Sequence, residues 1–339
     1  MKPKAIVDPH PRTLELLFNP DDLKRLKSLV RLAVWEGSRM PAEMVDRHLA
    51  EASVVIGQTD LSRERLERAK TLKAVVNVEG NFQPNIDYEY CFQRGIHVLG
   101  VGVCFGRAVA EMALGMALAL ARGIPQADRL FRQGREVYGR FSNQSAFLIS
   151  GAEIGFVGFG NLGRALIKLL EPFRCRVRVY DPWLPPRWLR ECGMIPSSLD
   201  EVLSKSQVLF VLAGATAENQ AIFGTRQLNQ MPKSACLVLV SRASLVDFDA
   251  LTAKLTKGDI RAAVDVFPQE PFVKNHPLRK LDNVILSAHR AGSLASAYRL
   301  MGEMIVDDLS QILNGLPPLR LQRAERETVA RLRSMAVKK

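Results

Sequence analysis

The residues with the clearest chemical meaning are the glycines of Gly158-Phe159-Gly160-Asn161-Leu162-Gly163. They follow an apolar stretch, 154–157, that reads as a strand, and they open a stretch, 162–170, with helical apolar spacing. A second strand follows and ends at Asp181. Glycines spaced in this way between a strand and a helix form a dinucleotide-binding fingerprint. Gly158 permits the tight turn, Gly160 lets the main chain approach a pyrophosphate, and Gly163 lets helix and strand pack closely. The N–H groups at the helix start, around Asn161 and Leu162, then face the phosphates. Asp181 would accept hydrogen bonds from the adenosine ribose hydroxyls and repel a 2′-phosphate, so the expected cofactor is NAD (NADH) rather than NADP. Arg187, close behind, weakens that preference slightly.

Three further polar residues fall at the ends of apolar stretches. Arg242 lies in Val240-Ser241-Arg242-Ala243-Ser244-Leu245-Val246-Asp247, and Glu270 in Asp265-Val266-Phe267-Pro268-Gln269-Glu270-Pro271. His289 lies in Ser287-Ala288-His289-Arg290-Ala291-Gly292. Singly, each has an ordinary explanation: a satisfied histidine at a strand end, an arginine capping a helix, a Glu-Pro turn. In this order behind the glycine loop, they resemble the signatures of the D-isomer-specific 2-hydroxyacid dehydrogenases, a family that includes phosphoglycerate, glycerate and D-lactate dehydrogenases. The resemblance covers nearly the whole chain, including Arg94-Gly95-Ile96 and Ala108-Val109-Ala110-Glu111.

The resemblance implies hydride transfer at the C2 carbon of a small D-2-hydroxy acid or 2-oxo acid. That chemistry needs a group that takes the hydroxyl proton in one direction and returns it in the other. Histidine suits both, because its ordinary pKa of about 6.5 lies near working pH, and His289 is expected in that role. Glu270 would hold the other ring nitrogen, while Arg242 would bind the substrate carboxylate and polarise the 2-oxo group through its planar fork. The resemblance further implies cofactor contacts from Val240, Asp265 and Gly292. His276, in a polar loop, reads as an ordinary turn residue.

The pattern is broken where family members carry a glycine-rich substrate loop. Here the residues are Val78-Glu79-Gly80-Asn81-Phe82, so Glu79 and Gly80 are the expected substrate contacts and Phe82 replaces a common glycine. Glu79 brings a negative charge to a loop meant for an anion. Leu212-Ala213-Gly214 replaces a usual His-x-Pro, and Leu294 a frequent threonine.

These residues need elements to position them. Stretches 5–7, 32–35, 53–56, 74–78 and 97–99 read as strands separated by helical spacing at 21–29 and 41–50. A second strand series runs through 154–157, 176–180, 208–212, 237–240, 262–264 and 284–286. Alternation of this kind predicts an α/β fold with parallel sheets covered on both faces. The apolar stretch 108–122 reads as a helix buried all round, and 297–313 as a helix returning the chain to its first domain. The expected architecture is a Rossmann-type dinucleotide-binding domain (105–291) inserted into a flavodoxin-like substrate domain (1–104 and 292–325), with a basic tail over 326–339.

Composition narrows the classes. The formal charge of +12 draws polyanions, but equally a dianionic cofactor and a carboxylate substrate. Much of it lies at Arg320, Arg323, Arg326, Arg331, Arg333, Lys338 and Lys339, which read as a solvated tail. No aromatic–basic interleaving accompanies it, so nucleic acid is not expected as a partner. Five scattered cysteines without a CxxC pair argue against a disulfide framework and against zinc. The first twenty residues lack a signal-peptide pattern, and the longest apolar run, 113–121, is less than half of the ~20 residues of a membrane span. A cytoplasmic homodimer is the expectation, with 108–122 taking part in the dimer. The alternative is an NAD-sensing interaction protein of the same fold, resembling the C-terminal binding proteins.

Overall fold

The computed structural model describes residues 2–329 other than 143, 217 and 328. Arg331, Arg333, Lys338 and Lys339 of the expected basic tail lie outside the described residues. The chain divides into two compact units, Met1–Phe105 with Thr216–Glu218 and Ser293–Lys339, and Gly106–Ala215 with Asn219–Gly292.

The first unit is built on β1 (Lys4–Asp8), β2 (Arg31–Val34), β3 (Ala52–Gly57), β4 (Ala74–Asn77) and β5 (His97–Gly100). These are parallel neighbours in the order β2-β1-β3-β4-β5, the flavodoxin-like winding that reverses direction between β1 and β3. β3 and β4 are buried along their whole length, as the unbroken run Ser53-Val54-Val55-Ile56 requires of strands covered on both faces. The helix Ala295–Leu313 packs on this sheet with Met301, Ile305 and Leu309 fully buried, and Gly302 fits where a Cβ would stand 2.1 Å from the Leu17 carbonyl oxygen. After the helix, the fully buried carboxylate of Asp308 accepts the main-chain N–H groups of Leu319, Arg320 and Leu321.

The second unit holds seven parallel strands: β6 (Glu153–Val157), β7 (Arg176–Tyr180), β8 (Ile195–Pro196), β9 (Val208–Val211), β10 (Cys236–Leu239), β11 (Arg261–Val264) and β12 (Val284–Leu286). Their order, β8-β7-β6-β9-β10-β11-β12, is the doubly wound dinucleotide-binding arrangement with one strand appended. The α/β class and both windings are therefore as expected. The helix Gly106–Arg122 packs on β10, β11 and the helix Asn161–Leu170. It buries Val109, Ala113, Met116, Ala117 and Leu120, whereas Met112, Leu114 and Leu118 stay half-exposed. Burial all round is thus corrected to burial of one face. Continuous helical structure over Val101–Arg122 also makes this segment long and apolar enough, by length and composition alone, to cross a membrane; half of it is buried within the fold.

The last strand, β13 (Gln322–Arg323), runs antiparallel to β5. Arg320 pairs with Glu303 and Asp307, and Arg326 pairs with Glu89 and covers the Phe92 ring. The arginines expected in a solvated tail are, over 320–326, docked on the first unit.

Candidate active site

The glycine loop is shaped by contact as much as by turn geometry. Gly158 has φ +93, and a Cβ there would lie 2.6 Å from the main chain of Ala213, just beyond β9. The main chain at Ala213 thus leaves room only for glycine at 158. A Cβ at Gly163 would meet the Phe159 ring at 2.9 Å and the Gly158 carbonyl oxygen at 3.2 Å. The helix Asn161–Leu170 begins at Gly160 without a side-chain cap, and among the described residues no side chain bonds to its first-turn N–H groups. That is the polarity a pyrophosphate needs. At the end of β7, Asp181 accepts the N–H of Phe159 at 2.8 Å and that of Trp183 at 3.0 Å. Its carboxylate is oriented by the glycine loop itself and lines a cavity of about 420 Å³ with Pro182, Leu184, Leu189, Arg190 and Ser198. Arg187, expected to weaken the preference for NAD, is paired with Glu191 at 3.1 Å. These residues fit a bound nicotinamide dinucleotide.

The other candidates sit on loops after β10, β11 and β12, three adjacent strands. His289 Nδ1 lies 2.8 Å from Glu270 Oε2, and Glu270 Oε1 accepts the Phe267 N–H at 3.1 Å. The carboxylate therefore has one oxygen on its own loop and one on the imidazole. His289 Nε2 has no hydrogen-bond partner among the described residues, and the side chain is half-exposed. The histidine adopts φ +48, a left-handed conformation uncommon outside glycine and asparagine. Asp265 holds it there: its carbonyl accepts the His289 N–H at 2.7 Å, and its carboxylate accepts those of Arg290 and Ala291, both at 3.0 Å. Asp265 is 1% exposed. It anchors the histidine loop.

Arg242 follows β10 behind the buried Val240 and Ser241, and its Nη1 donates to the Ser241 carbonyl at 2.7 Å. Gly292, half-buried, ends the segment anchored by Asp265. His276 is a turn residue: its Nδ1 accepts the Leu278 N–H at 3.3 Å and its ring packs on Phe272.

Glu79 and Gly80 belong to the first unit, immediately after β4. Glu79 accepts a hydrogen bond from the Gln83 amide at 3.4 Å. Phe82, conspicuous in sequence as a replaced glycine, is a core residue: it is 2% exposed and lies edge-on to Tyr88 at 6.1 Å.

Comparison with known proteins bears on what this geometry serves. Residues 114–291 match the model of the NAD binding domain of the D-isomer specific 2-hydroxyacid dehydrogenases. The chain is 31% identical, over 78% of its length, to a D-3-phosphoglycerate dehydrogenase of Methanocaldococcus jannaschii, and the match spans half of that protein. It is 34% identical to a glyoxylate reductase of Thermofilum pendens, over 76% of this chain and 77% of that one. Its fold is similar to the crystal structure of a phosphoglycerate oxidoreductase from Rhizobium etli, at TM-score 0.87 and 47% identity, covering 97% of this chain and all of that one.

Proposed function

Because the chain belongs to the D-isomer specific 2-hydroxyacid dehydrogenase family, we propose that it interconverts a small D-2-hydroxy acid and its 2-oxo acid with NAD as the hydride partner. The observation that carries this reading is the imidazole–carboxylate pair, His289 with Glu270, on a loop fixed by Asp265.

In the oxidative direction His289 Nε2 takes the substrate hydroxyl proton as the C2–H bond breaks. Glu270 accepts a hydrogen bond from Nδ1–H, which selects the tautomer with a vacant Nε2 and then stabilises the imidazolium. In reduction the same nitrogen returns the proton to the carbonyl oxygen. Arg242 binds the carboxylate next to the reacting carbon, where a planar fork gives two parallel hydrogen bonds. Glu79 and Gly80 contribute the substrate loop. The nicotinamide ring, when bound, accepts or supplies the hydride. Asp181, already oriented by the Phe159 N–H, favours the ribose hydroxyls of NAD over a 2′-phosphate.

The partner proposed for the protein itself is a second copy. The helix Ile124–Arg132 is strongly amphipathic yet has no buried residue, and Ile124, Phe131, Val137, Tyr138, Phe141 and Leu148 are all more than half exposed. Exposed apolar residues in this number support reading the segment as an interface.

The test is a panel of 2-oxo acids with NADH and NADPH, followed by the absorbance of the reduced nicotinamide. At least one acid is reduced, with NADH preferred, and His289→Ala loses about 10²–10⁴-fold in kcat while still binding NADH. NADH binding without turnover of any acid refutes the reading and favours a cofactor-sensing protein.

A further inference from the structure

Arg12 occupies an unusual position in the first unit. It lies in the turn after β1, and one of its Nη1 hydrogens goes to the carbonyl of Val78, the residue directly before Glu79 and Gly80. Its guanidinium lies 5.9 Å from the centroid of the Phe105 ring and 5.6 Å from that of Tyr298, and the two rings meet edge-on at 6.3 Å. Gly102 completes the cluster, since a Cβ there would stand 2.8 Å from the Gly80 carbonyl oxygen. The carboxyl ends of β1, β4 and β5 therefore converge on one half-buried cation.

Among the described residues that cation has no carboxylate within ion-pair distance. Other sheltered arginines are paired: Arg65 with Asp46 at 3.0 Å, and Arg178 with Glu153 at 3.2 Å. Arg261 has no carboxylate either, but main-chain carbonyls fill both ends of its fork, Leu120 at 2.8 Å and Ser234 at 2.9 Å. Arg12 has one carbonyl and two aromatic faces, which hold the guanidinium in place without consuming its remaining donors. The Tyr298 hydroxyl, in the first turn of its helix, also has no hydrogen-bond partner among the described residues. A half-desolvated guanidinium keeps its desolvation cost until an anion meets it. In open α/β sheets the carboxyl ends of the strands are where ligands bind.

We propose that Arg12 and Tyr298 form an anion subsite that receives a second acidic group of the substrate, a carboxylate or a phosphate remote from the 2-oxo acid. This rests on reading the Glu79-Gly80 loop as the substrate loop. Arg242 accounts for the carboxylate beside the reacting carbon, which leaves Arg12 for another. Glu79 brings a negative charge to the same loop, so an anion held beside it needs a cation, the role proposed for Arg12. The substrate class is therefore a 2-oxo or 2-hydroxy acid with two anionic groups.

The experiment compares monoacids (glyoxylate, pyruvate), dicarboxylates (oxaloacetate, 2-oxoglutarate) and 3-phosphohydroxypyruvate with NADH, in the unmodified protein, Arg12→Leu, Arg12→Lys and Tyr298→Phe. Expected is a kcat/KM at least about tenfold higher for one dianionic class than for the monoacids; whether it is the dicarboxylates or the phosphorylated acid identifies the anion. Arg12→Leu lowers the dianion-to-monoacid ratio at least about tenfold, mainly through KM, Tyr298→Phe lowers it less, and Arg12→Lys retains most of it. A ratio near one in the unmodified protein, or an unchanged ratio in Arg12→Leu, overturns the subsite. If no acid is turned over, the dehydrogenase reading fails separately. The subsite is then read from the rise in melting temperature given by 3-phosphoglycerate over lactate with NADH present: loss of that difference in Arg12→Leu supports it, and no difference in the unmodified protein refutes it.

Discussion

The main-chain N–H of His289 donates to the Asp265 carbonyl at 2.7 Å, while the carboxylate of the same aspartate takes the next two N–H groups of the chain. One buried residue thus sets both the height and the left-handed twist of the histidine's backbone. Asp265→Asn puts an amide NH₂ against one of those N–H groups and leaves it without an acceptor. The expected cost is about 1–3 kcal/mol of stability, read by urea denaturation, together with a fall in kcat larger than the change in KM. Unchanged stability would show that the loop holds itself.

Glu270→Gln tests the other side of the imidazole. The amide still reaches His289 Nδ1 but cannot offset the charge on the imidazolium. We expect kcat to fall about 10–100-fold, with NADH affinity retained in a fluorescence titration. A loss confined to KM would assign Glu270 to substrate binding instead.

Asp181→Ser addresses cofactor choice. Removing the carboxylate relieves repulsion of a 2′-phosphate and also withdraws the acceptor from the Phe159 N–H. The NADH-to-NADPH ratio of kcat/KM falls about tenfold or more, with some loss for both cofactors from a looser glycine loop. A constant ratio in the variant places the ribose contact elsewhere.

The exposed apolar strip along Ile124–Arg132 predicts a change of mass rather than of rate. Phe131→Glu shifts the protein toward monomer in light-scattering chromatography, and the melting temperature becomes independent of protein concentration. A monomeric unmodified chain would refute the proposed interface.

Burial pushes the Cys91 and Cys104 thiols up to about 12 and that of Cys236 up to about 11. The sign follows from desolvation, which disfavours the thiolate, so these groups are neutral and inert at about pH 8. Iodoacetamide followed by mass spectrometry labels exposed Cys192 first. The three buried cysteines react only when the chain unfolds.

Much of the sheet architecture was legible because its strands are short runs rich in valine, isoleucine and leucine between helical spacings. β8 and β13 were not, since two residues carry no periodicity and both exist by pairing with a neighbour. The helix Ile124–Arg132 is amphipathic in sequence, but Ile-Pro at its start and a span of nine residues directly behind the helix Gly106–Arg122 blur its boundary, and only the structure shows that its apolar side is left uncovered. At the site, the order of Arg242, Glu270 and His289 was readable, and the structure adds the hydrogen bond between the last two. The anchoring by Asp265 was not, because its partners are main-chain groups some 25 residues away, whose N–H groups carry no trace in residue type. Arg12 was hidden for a similar reason: in sequence it is one polar residue of a proline-rich turn, and only the fold brings Phe105 and Tyr298 to it.

The two-residue strand β13 has a consequence beyond its size. By lying antiparallel on Leu99 and Gly100 it occupies the outer hydrogen-bonding rim of β5, and the Asp308 carboxylate fastens the segment that leads into it. Stripped of residues from 322 onward, the first unit would present a bare ladder of donors and acceptors, a template for intermolecular strand addition. This short segment is, in that sense, a guard against polymerisation.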